Sequence, residues 1–360
     1  MPDPEAIESR LSSYLGAKIA RFAVLASGWE TTVFELILES RAAAYPAIPV
    51  GVPVALRLYQ GSQADAKWRR EHTTIDRLSV AGYCVPHPYV FEPDHDALGA
   101  PFLIMQRLAG GPLFAIKSFP RAFLTFSLGF FSFVREQVRL HRFDPTAPGL
   151  RDIQPAYLAP NAATEAPLLS RVLAIIGERV ETGPLPGLRD ALRRVAGRAP
   201  VFETGRLSLL HLDYHPINVI VKGPRVTGVI DWVNADRGDR HLDAAMTAVI
   251  LSSSALEQPW WMRDNAAGNG LRASFAAMYL PLYHAMAPLD FEQFRYYQAV
   301  AALLRLSMMG MMRTRGPETV GFRSEAISEV TPAVVRLLTR YATRKSGTAV
   351  GLDLAAPQPA

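Results

Sequence analysis

The stretch LLHLDYHPINVIVKGPRVTGVIDW, residues 209–232, constrains this chain more than any other segment. Its apolar runs are short, and the polar loops between them carry Asp213, Asn218 and Asp231. Residues 219–230 predict a β-hairpin, because two β-branched runs flank a turn that contains Gly and Pro. A hairpin returns the chain to its starting point, so Asp231 is predicted to lie beside Asn218.

The side chains of this segment suit phosphoryl transfer. Asn218 follows Asp213 by five positions, the Asp-to-Asn gap of the kinase pattern H-R-D-x-x-x-x-N. Mg²⁺ prefers oxygen ligands such as those of Asn218 and Asp231. A lone Asp or Asn in a loop is usually a turn residue or a helix cap, but the joint spacing favours a functional site. His211 is interpreted as a loop-organising residue, and His215 is left open between substrate contact and solvent exposure.

The motif H-L-D-Y-H-P-I-N followed by V-I-D-W resembles the signature of the aminoglycoside phosphotransferase and choline kinase-like family. It is closer to the aminoglycoside phosphotransferase branch, where the metal-binding Asp is commonly followed by Trp. The resemblance implies an α+β, two-lobed, protein-kinase-like fold. An N-lobe with a small antiparallel sheet and one main helix would precede a larger, mostly helical C-lobe. It further implies ATP and Mg²⁺ as cofactors, Asp213 as the base, and Asn218 and Asp231 as metal ligands.

The first part of the chain has the pattern of such an N-lobe. Residues 17–27 and 32–39 predict two strands rich in apolar and β-branched side chains. Between them, Gly28 permits a tight turn, and Thr31 and Thr32 offer hydroxyl and backbone N–H groups to phosphates. A single Gly between strands is also the mark of an ordinary hairpin.

The next strand, residues 53–59, carries one cation, Arg57, where the family has Lys or Arg gripping phosphates. Residues 62–81 predict a helix with Glu71 on it. An ion pair between Arg57 and Glu71 would hold the guanidinium at the phosphates, although Arg and Lys differ in geometry. The alternative places Glu71 on a charged, solvated helix face.

The apolar run at residues 100–108 resembles the last N-lobe strand and the interlobe hinge of the family. By this resemblance, backbone groups of Met105, Gln106 and Leu108 would bind adenine.

We predict a nucleotide-binding lobe at residues 1–108, a helical catalytic and substrate lobe at 109–345, and a disordered tail at 346–360. Predicted helices of the second lobe cover residues 123–140, 168–198, 271–284, 291–312 and 324–343. Asp243, in a segment rich in Gly and Asp, is interpreted as a helix cap or loop anchor.

Composition limits the remaining function classes. Hydrophobic residues make up 49% and charged residues 20%, as in a globular protein. The single cysteine excludes an intrachain disulfide and favours a cytoplasmic location, and no membrane span is expected. The net charge of +5 raises a nucleic-acid alternative. The arginines are scattered, and a solvated helix face is the favoured interpretation of Arg305, Arg313, Arg315 and Arg323, so no nucleic-acid partner is expected.

These features predict an ATP- and Mg²⁺-dependent phosphotransferase acting on a hydroxyl of a small molecule, such as an antibiotic-like, sugar or amino-alcohol acceptor. Aminoglycosides are polycations, yet residues 251–288 show no acidic cluster. Trp260, Trp261, Met262 and Phe275 in this segment are either core residues or the lining of an apolar cleft. The alternatives are a catalytically silent nucleotide-binding protein and a protein kinase-like enzyme, which the lack of D-F-G and A-P-E motifs disfavours. The acceptor and the oligomeric state stay undecided.

Overall fold

A computed structural model of the chain describes residues 3–28, 31–114, 119–153, 155, 166–202, 207–255 and 259–353. The strands are β1 (Ile19–Ser27), β2 (Thr31–Leu38), β3 (Val54–Tyr59), β4 (Pro88–Glu92), β5 (Phe102–Gln106), β6 (Gly111–Pro112), β7 (Leu207–Leu210), β8 (Val219–Lys222), β9 (Arg225–Val229) and β10 (Asp236–Asp239). The helices are α1 (Pro4–Leu15), α2 (Ala64–Val80), α3 (Phe119–Leu140), α4 (Leu168–Thr182), α5 (Arg189–Ala196), α6 (Ala199–Phe202), α7 (Arg240–Ser253), α8 (Ala266–Met286), α9 (Phe291–Arg315) and α10 (Pro332–Ser346). Short 3-10 turns lie at Leu150–Asp152, Pro186–Leu188, Trp260–Met262, Pro317–Val320 and Ser324–Glu329.

The N-terminal lobe is built on an antiparallel sheet with the strand order β1-β2-β3-β5-β4. Every residue of β3 is buried, because helices cover both faces of the sheet. Leu56 and Leu58 pack into the cluster that contains α1, whereas Ala55 and Tyr59 belong to the core that contains α2. Since side chains alternate along a strand, Arg57 points to the α2 face.

The C-terminal lobe combines two small sheets with the remaining helices. Strands β6, β8 and β9 form one sheet, and β10 pairs with β7 in the other. Helix α9 is buried along most of its length and packs against α4, α7 and α10. The chain passes from the first sheet to the β6-β8-β9 sheet between Gln106 and Gly111.

The predicted two-lobed α+β architecture is confirmed. Helix α1 adds a second helix to the N-terminal lobe, and Asp3 caps it by accepting from the Glu5 N–H. Within the described residues, no helix combines the length and the apolar character that crossing a bilayer requires.

The predicted disordered tail needs a correction for residues 346–353. Gly351 N–H donates to Gly187 O at 3.1 Å, and Leu352 packs against the core. A Cβ at Gly187 would lie 2.3 Å from Gly351 O, so this close approach requires glycine at position 187. Residues 354–360 lie outside the described part of the chain.

Candidate active site

The hairpin formed by β8 and β9 brings the three predicted polar residues together. Ile230 N–H donates to Asn218 O at 2.9 Å, which closes the hairpin beneath Asp231. The Asn218 side-chain amide donates to Asp213 O at 3.0 Å and lies 3.3 Å from the Asp213 carboxylate. Asp213, Asn218 and Asp231 all line one cavity of about 1060 Å³ between the lobes.

Backbone strain marks the same place. Among the described residues other than glycine, Leu212 and Asp231 have positive φ angles, of 60° and 70°. Such conformations are costly for residues with a Cβ and persist where surrounding contacts hold them. Both conformations lie next to polar side chains of the cavity. Leu212 directly precedes the lining residue Asp213, and Asp231 is itself a lining residue.

A buried network holds the loop that carries Asp213. Asp243 Oδ1 accepts from Leu212 N–H at 2.6 Å, and its Oδ2 lies 2.8 Å from His141 Nε2. Gln137 at the same site donates to Asp243 and to Thr247. Although burial alone would raise it, the pKa of Asp243 is lowered by the hydrogen bond and charge of His141. Asp243 is therefore a loop anchor, as one of the two sequence interpretations stated, whereas Asp239 caps α7.

The two histidines of the motif have different positions. His211 is fully buried with Nε2 3.0 Å from Ile230 O, the position of a loop-organising residue. Burial lowers the pKa of His211, so the neutral ring is favoured. His215 lines the cavity, with Nε2 3.6 Å from Asp213 Oδ2. Burial would raise the pKa of Asp213, but the charge and hydrogen bond of His215, with Arg305 and His211, bring it below its ordinary value.

Arg57 lies behind the Asp231 carboxylate. Its guanidinium donates to Asp231 Oδ1 at 2.7 Å, and its Nε lies 3.1 Å from Glu71 Oε2. The Nε contact is electrostatic, because its N–H does not point at an acceptor. Glu71 also accepts from Tyr59 O–H and from Trp232 N–H. Arg57 and Glu71 thus form the predicted ion pair. Arg57 itself contacts the Asp231 carboxylate and is not part of the cavity lining.

The β1–β2 turn contributes two of its three predicted residues to the cavity. Gly28 and Thr31 line it, and Gly28 N–H donates to Thr31 O at 2.9 Å. Thr32 is buried, and its hydroxyl donates to Gln60 Oε1 at 3.0 Å. Residues 29–30, which lie between Gly28 and Thr31, are outside the described part of the chain.

The predicted adenine hinge is not part of this cavity. Met105 is buried within β5, and Gln106 N–H donates to His87 O at 2.7 Å. Leu108 packs on β9 so closely that a Cβ at Gly228 would lie 2.5 Å from Leu108 Cδ1. Met105, Gln106 and Leu108 are absent from the cavity lining among the described residues, so their hinge role stays a prediction.

Sequence reasoning missed a contact between the C-terminal lobe and the β1–β2 turn. Arg323 donates to Ser27 Oγ at 2.7 Å and to Gly28 O. Nearby, Lys67 of α2 donates to Gly321 O, and its ammonium lies 4.8 Å from the Phe322 ring centroid. Arg323 is therefore not part of a solvated helix face. No local pattern could have revealed this, because the partners are almost 300 residues apart.

The donor set fits Mg²⁺. Because the Asn218 amide nitrogen donates to Asp213, the amide oxygen is the atom left to bind a metal. One carboxylate oxygen of Asp231 accepts a hydrogen bond from Arg57, which leaves the second oxygen available to a cation. Among the described residues, no group of three or more His, Cys, Asp or Glu side chains forms another candidate site. A carboxylate and an amide are the small set of hard ligands that Mg²⁺ uses together with water and phosphate oxygens.

Comparisons with known proteins identify a family and a fold. The model of the phosphotransferase enzyme family, APH, matches residues 21–289. The structure is similar to the aminoglycoside phosphotransferase APH(4)-Ia, with a TM-score of 0.61, 15% identity, and coverage of 97% of this chain and 100% of that chain. It is also similar to a thermostable mutant of that enzyme in a ternary complex with AMP-PNP and hygromycin B, with a TM-score of 0.61, 15% identity, and 93% and 98% coverage. A third is APH(3'')-Id from Streptomyces rimosus, with a TM-score of 0.52, 18% identity, and 84% and 99% coverage. No curated protein matches this chain by sequence.

Proposed function

The chain belongs to the phosphotransferase enzyme family and is a small-molecule kinase. From that premise we propose that it transfers the γ-phosphate of ATP, with Mg²⁺, to a hydroxyl group of a small molecule. The family membership confirms the resemblance inferred from the motif around Asp213 and Asp231.

One observation carries the proposal: Asp213, Asn218 and Asp231 share one cavity wall, held by hydrogen bonds of 2.9 and 3.0 Å. Phosphoryl transfer needs in-line positioning and neutralisation of the phosphate oxygens more than covalent help from the protein. The proposed site supplies a carboxylate for the acceptor and two oxygen ligands for the metal. Bound Mg²⁺ would neutralise charge on the phosphate oxygens.

The proposed reaction conserves atoms and charge. The acceptor O–H gives its proton to the Asp213 carboxylate, and its oxygen forms a bond to the γ-phosphorus. The bond from that phosphorus to the β,γ-bridging oxygen breaks, and ADP leaves with the electron pair. Because the pKa of Asp213 is low, this carboxylate orients the hydroxyl first and accepts the proton only as the new bond forms.

Arg57 and Glu71 would support the site from behind. In the proposed role, Arg57 holds the Asp231 carboxylate in place and Glu71 holds Arg57. Glu71 also accepts a hydrogen bond from Trp232 N–H, so α2 is bonded to the residue that follows the proposed metal ligand Asp231. The nucleotide phosphates would lie near Gly28 and Thr31. The assignment of Met105, Gln106 and Leu108 to adenine rests on the family resemblance.

The first test separates binding from turnover. Melting temperatures are measured with AMP-PNP, with and without Mg²⁺, since a ligand that binds only the native state stabilises it. We expect stabilisation that depends on Mg²⁺, and its loss in Asp231→Asn. The exposed Asp94 on the loop after β4 provides the matched control Asp94→Asn, which should behave as wild type.

Turnover is measured as ADP release with Mg·ATP across a panel of hydroxyl compounds. Asp213→Asn should keep nucleotide binding and lose turnover. Full turnover in Asp213→Asn would refute its role as the base. Nucleotide binding without turnover on any compound of the panel would instead favour the catalytically silent alternative. A cytoplasmic location stays a prediction supported by the single cysteine, Cys84.

A further inference from the structure

The part of the cavity that lies in the C-terminal lobe has an apolar wall. Four methionines and two phenylalanines line it: Met246, Met262, Met308, Met311, Phe114 and Phe275. Helix α9 divides its Met-rich segment between two faces, with Met308 and Met311 on the cavity and Met309 and Met312 in the core. The sequence alone left open whether Met262 and Phe275 were core or cleft.

Ring stacking and hydrogen bonds hold parts of this apolar wall in place. The Phe275 ring stacks on Phe126 with centroids 4.1 Å apart, and it meets Phe114 edge-to-face at 5.4 Å. Arg272 donates to the carbonyls of Met262 and Arg263 at 3.0 and 2.9 Å, which fixes the Met262 segment. A preformed wall costs a ligand little ordering free energy, and the methionines adapt to varied shapes.

Beyond the proposed catalytic site, few acidic side chains among the described residues are available in this part of the cavity to bind a polycation. Its described acidic lining residues are Asp213 and Asp231 of the proposed catalytic site and, beyond them, Glu178 and Glu329, which are both solvent-exposed. Arg179 and Arg305 line it as well and are less exposed. The charge of Arg305 acts on Asp213 and helps to lower its pKa. A ligand with several ammonium groups binds best where several carboxylates face it, and beyond the proposed catalytic site this described lining offers two exposed ones.

The cavity is large and extends across both lobes. Its volume of about 1060 Å³ lies just above the range of a single small-molecule site, ~300–1,000 Å³. Gly28 and Thr31 of the N-terminal lobe line the same space as Phe275 and Met308 of the C-terminal lobe. Asp213 also lines it, as an acceptor base must.

Resting on the proposed phosphotransferase function, we propose that the acceptor is a bulky, largely apolar alcohol without a cluster of ammonium groups. Its apolar body would lie against Phe275, Met308 and Met311. Its hydroxyl would reach Asp213, which takes the proton as the oxygen bonds to the γ-phosphorus and ADP departs.

The experiment uses the full chain loaded with AMP-PNP and Mg²⁺ and four defined probes. Cholate and its neutral methyl ester, below micellar concentration, offer hydroxyls on an apolar body. Kanamycin offers hydroxyls on a polycation, and glucose offers them on a polar neutral ring. We expect the two sterols to raise the melting temperature further and to support ADP release with Mg·ATP. Kanamycin and glucose should do neither.

Two matched variants locate the bound probe. Met308→Glu places a carboxylate in the apolar wall and should weaken sterol binding by about tenfold or more. Met278→Glu makes the same change at an exposed position of α8, outside the cavity lining, and should leave binding unchanged. Both variants should bind AMP-PNP as wild type does.

The inference would be overturned if neither sterol raised the melting temperature or supported ADP release while AMP-PNP still bound. Turnover of kanamycin alone would also overturn it. Equal effects of Met308→Glu and Met278→Glu would also overturn it. Failure of AMP-PNP to stabilise the protein in the presence of Mg²⁺ would instead contradict the proposed function itself.

Discussion

Removing the charge of Arg57 should destabilise the protein strongly, in a way that depends on pH. The side chain of Arg57 is 5% exposed and that of Glu71 is 1% exposed, so Arg57→Met leaves a carboxylate buried without its cation. At the Nε to Oε2 distance of 3.1 Å, the Coulomb attraction is about 5 kcal/mol at an effective dielectric of ~20. Breaking a buried pair by removing one partner costs ~3–5 kcal/mol.

We therefore expect the free energy of unfolding to fall by about 4 kcal/mol near neutral pH, or about 5 °C in melting temperature for a chain of 360 residues. Loss of the Arg57 contact with Asp231 adds less to this free-energy cost, because the Asp231 side chain is 28% exposed. Urea unfolding followed by circular dichroism measures the change. Arg189→Met is the matched control, because Arg189 pairs with Glu181 at an exposed site, and should cost less than ~1 kcal/mol.

The pH dependence identifies the cause. Burial raises the pKa of Glu71, and Arg57 opposes that rise. Without Arg57 the folded-state pKa rises further above the unfolded value of ~4.3. A group whose folded-state pKa is raised favours the folded state at low pH and disfavours it as pH rises through that pKa. The loss caused by Arg57→Met should thus grow from pH 5 to pH 8.

Adding Glu71→Gln to Arg57→Met should recover part of the stability and remove this pH dependence. The reasoning would be refuted by a loss equal to that of Arg189→Met, or by a loss that is constant across the pH range.

Three other variants test the site around this pair. Asp243→Ala should lower the free energy of unfolding by ~3 kcal/mol in urea titrations, because the Leu212 N–H and other buried donors lose their acceptor; a loss below ~1 kcal/mol would contradict its role as loop anchor. His215→Asn should raise the pKa of Asp213, because His215 is the first group that lowers it. In the wild type, the ionised Asp213 stabilises the folded state above its unfolded pKa of ~3.9, and this effect is lost as pH falls through the lower folded-state pKa. In the variant, the acid limb of the kcat/KM profile should therefore move to higher pH, and an unchanged limb would refute this. Arg323→Ala should weaken Mg·ATP binding by about tenfold and speed hydrogen exchange in the β1–β2 turn, with little change in melting temperature; unchanged exchange there would refute the contact's ordering role.

Much of the candidate site could be predicted from the sequence because its geometry is local. The side chains of Asp213, Asn218 and Asp231 are brought together by one hairpin, and a hairpin is encoded by the pattern of its own residues. The ion pair of Arg57 with Glu71 was predicted from the family resemblance, which implies a cation on this strand and a Glu on the helix after it. Element bounds agreed with the predictions to within a few residues for most strands and helices.

The predictions that missed features involve contacts between distant segments. The contact of Arg57 with Asp231 joins residues 174 positions apart, and that of Arg323 with Ser27 joins residues 296 apart. The tail was predicted to be disordered from its composition, yet Gly351 N–H donates a hydrogen bond to Gly187 O.

By itself, then, the sequence indicated the reaction class through the resemblance of its motif to the phosphotransferase family. It also brought the proposed site residues together, because turn spacing places neighbouring side chains within a few ångströms. Only the tertiary structure decided that Met308 faces the cavity while Met309 faces the core, and that Arg323 reaches the β1–β2 turn. The physical reason is that a helix such as α9 is buried on nearly every side from Tyr296 to Met312, so its hydrophobic pattern does not specify which face packs and which lines a cleft. That choice depends on the elements that surround it.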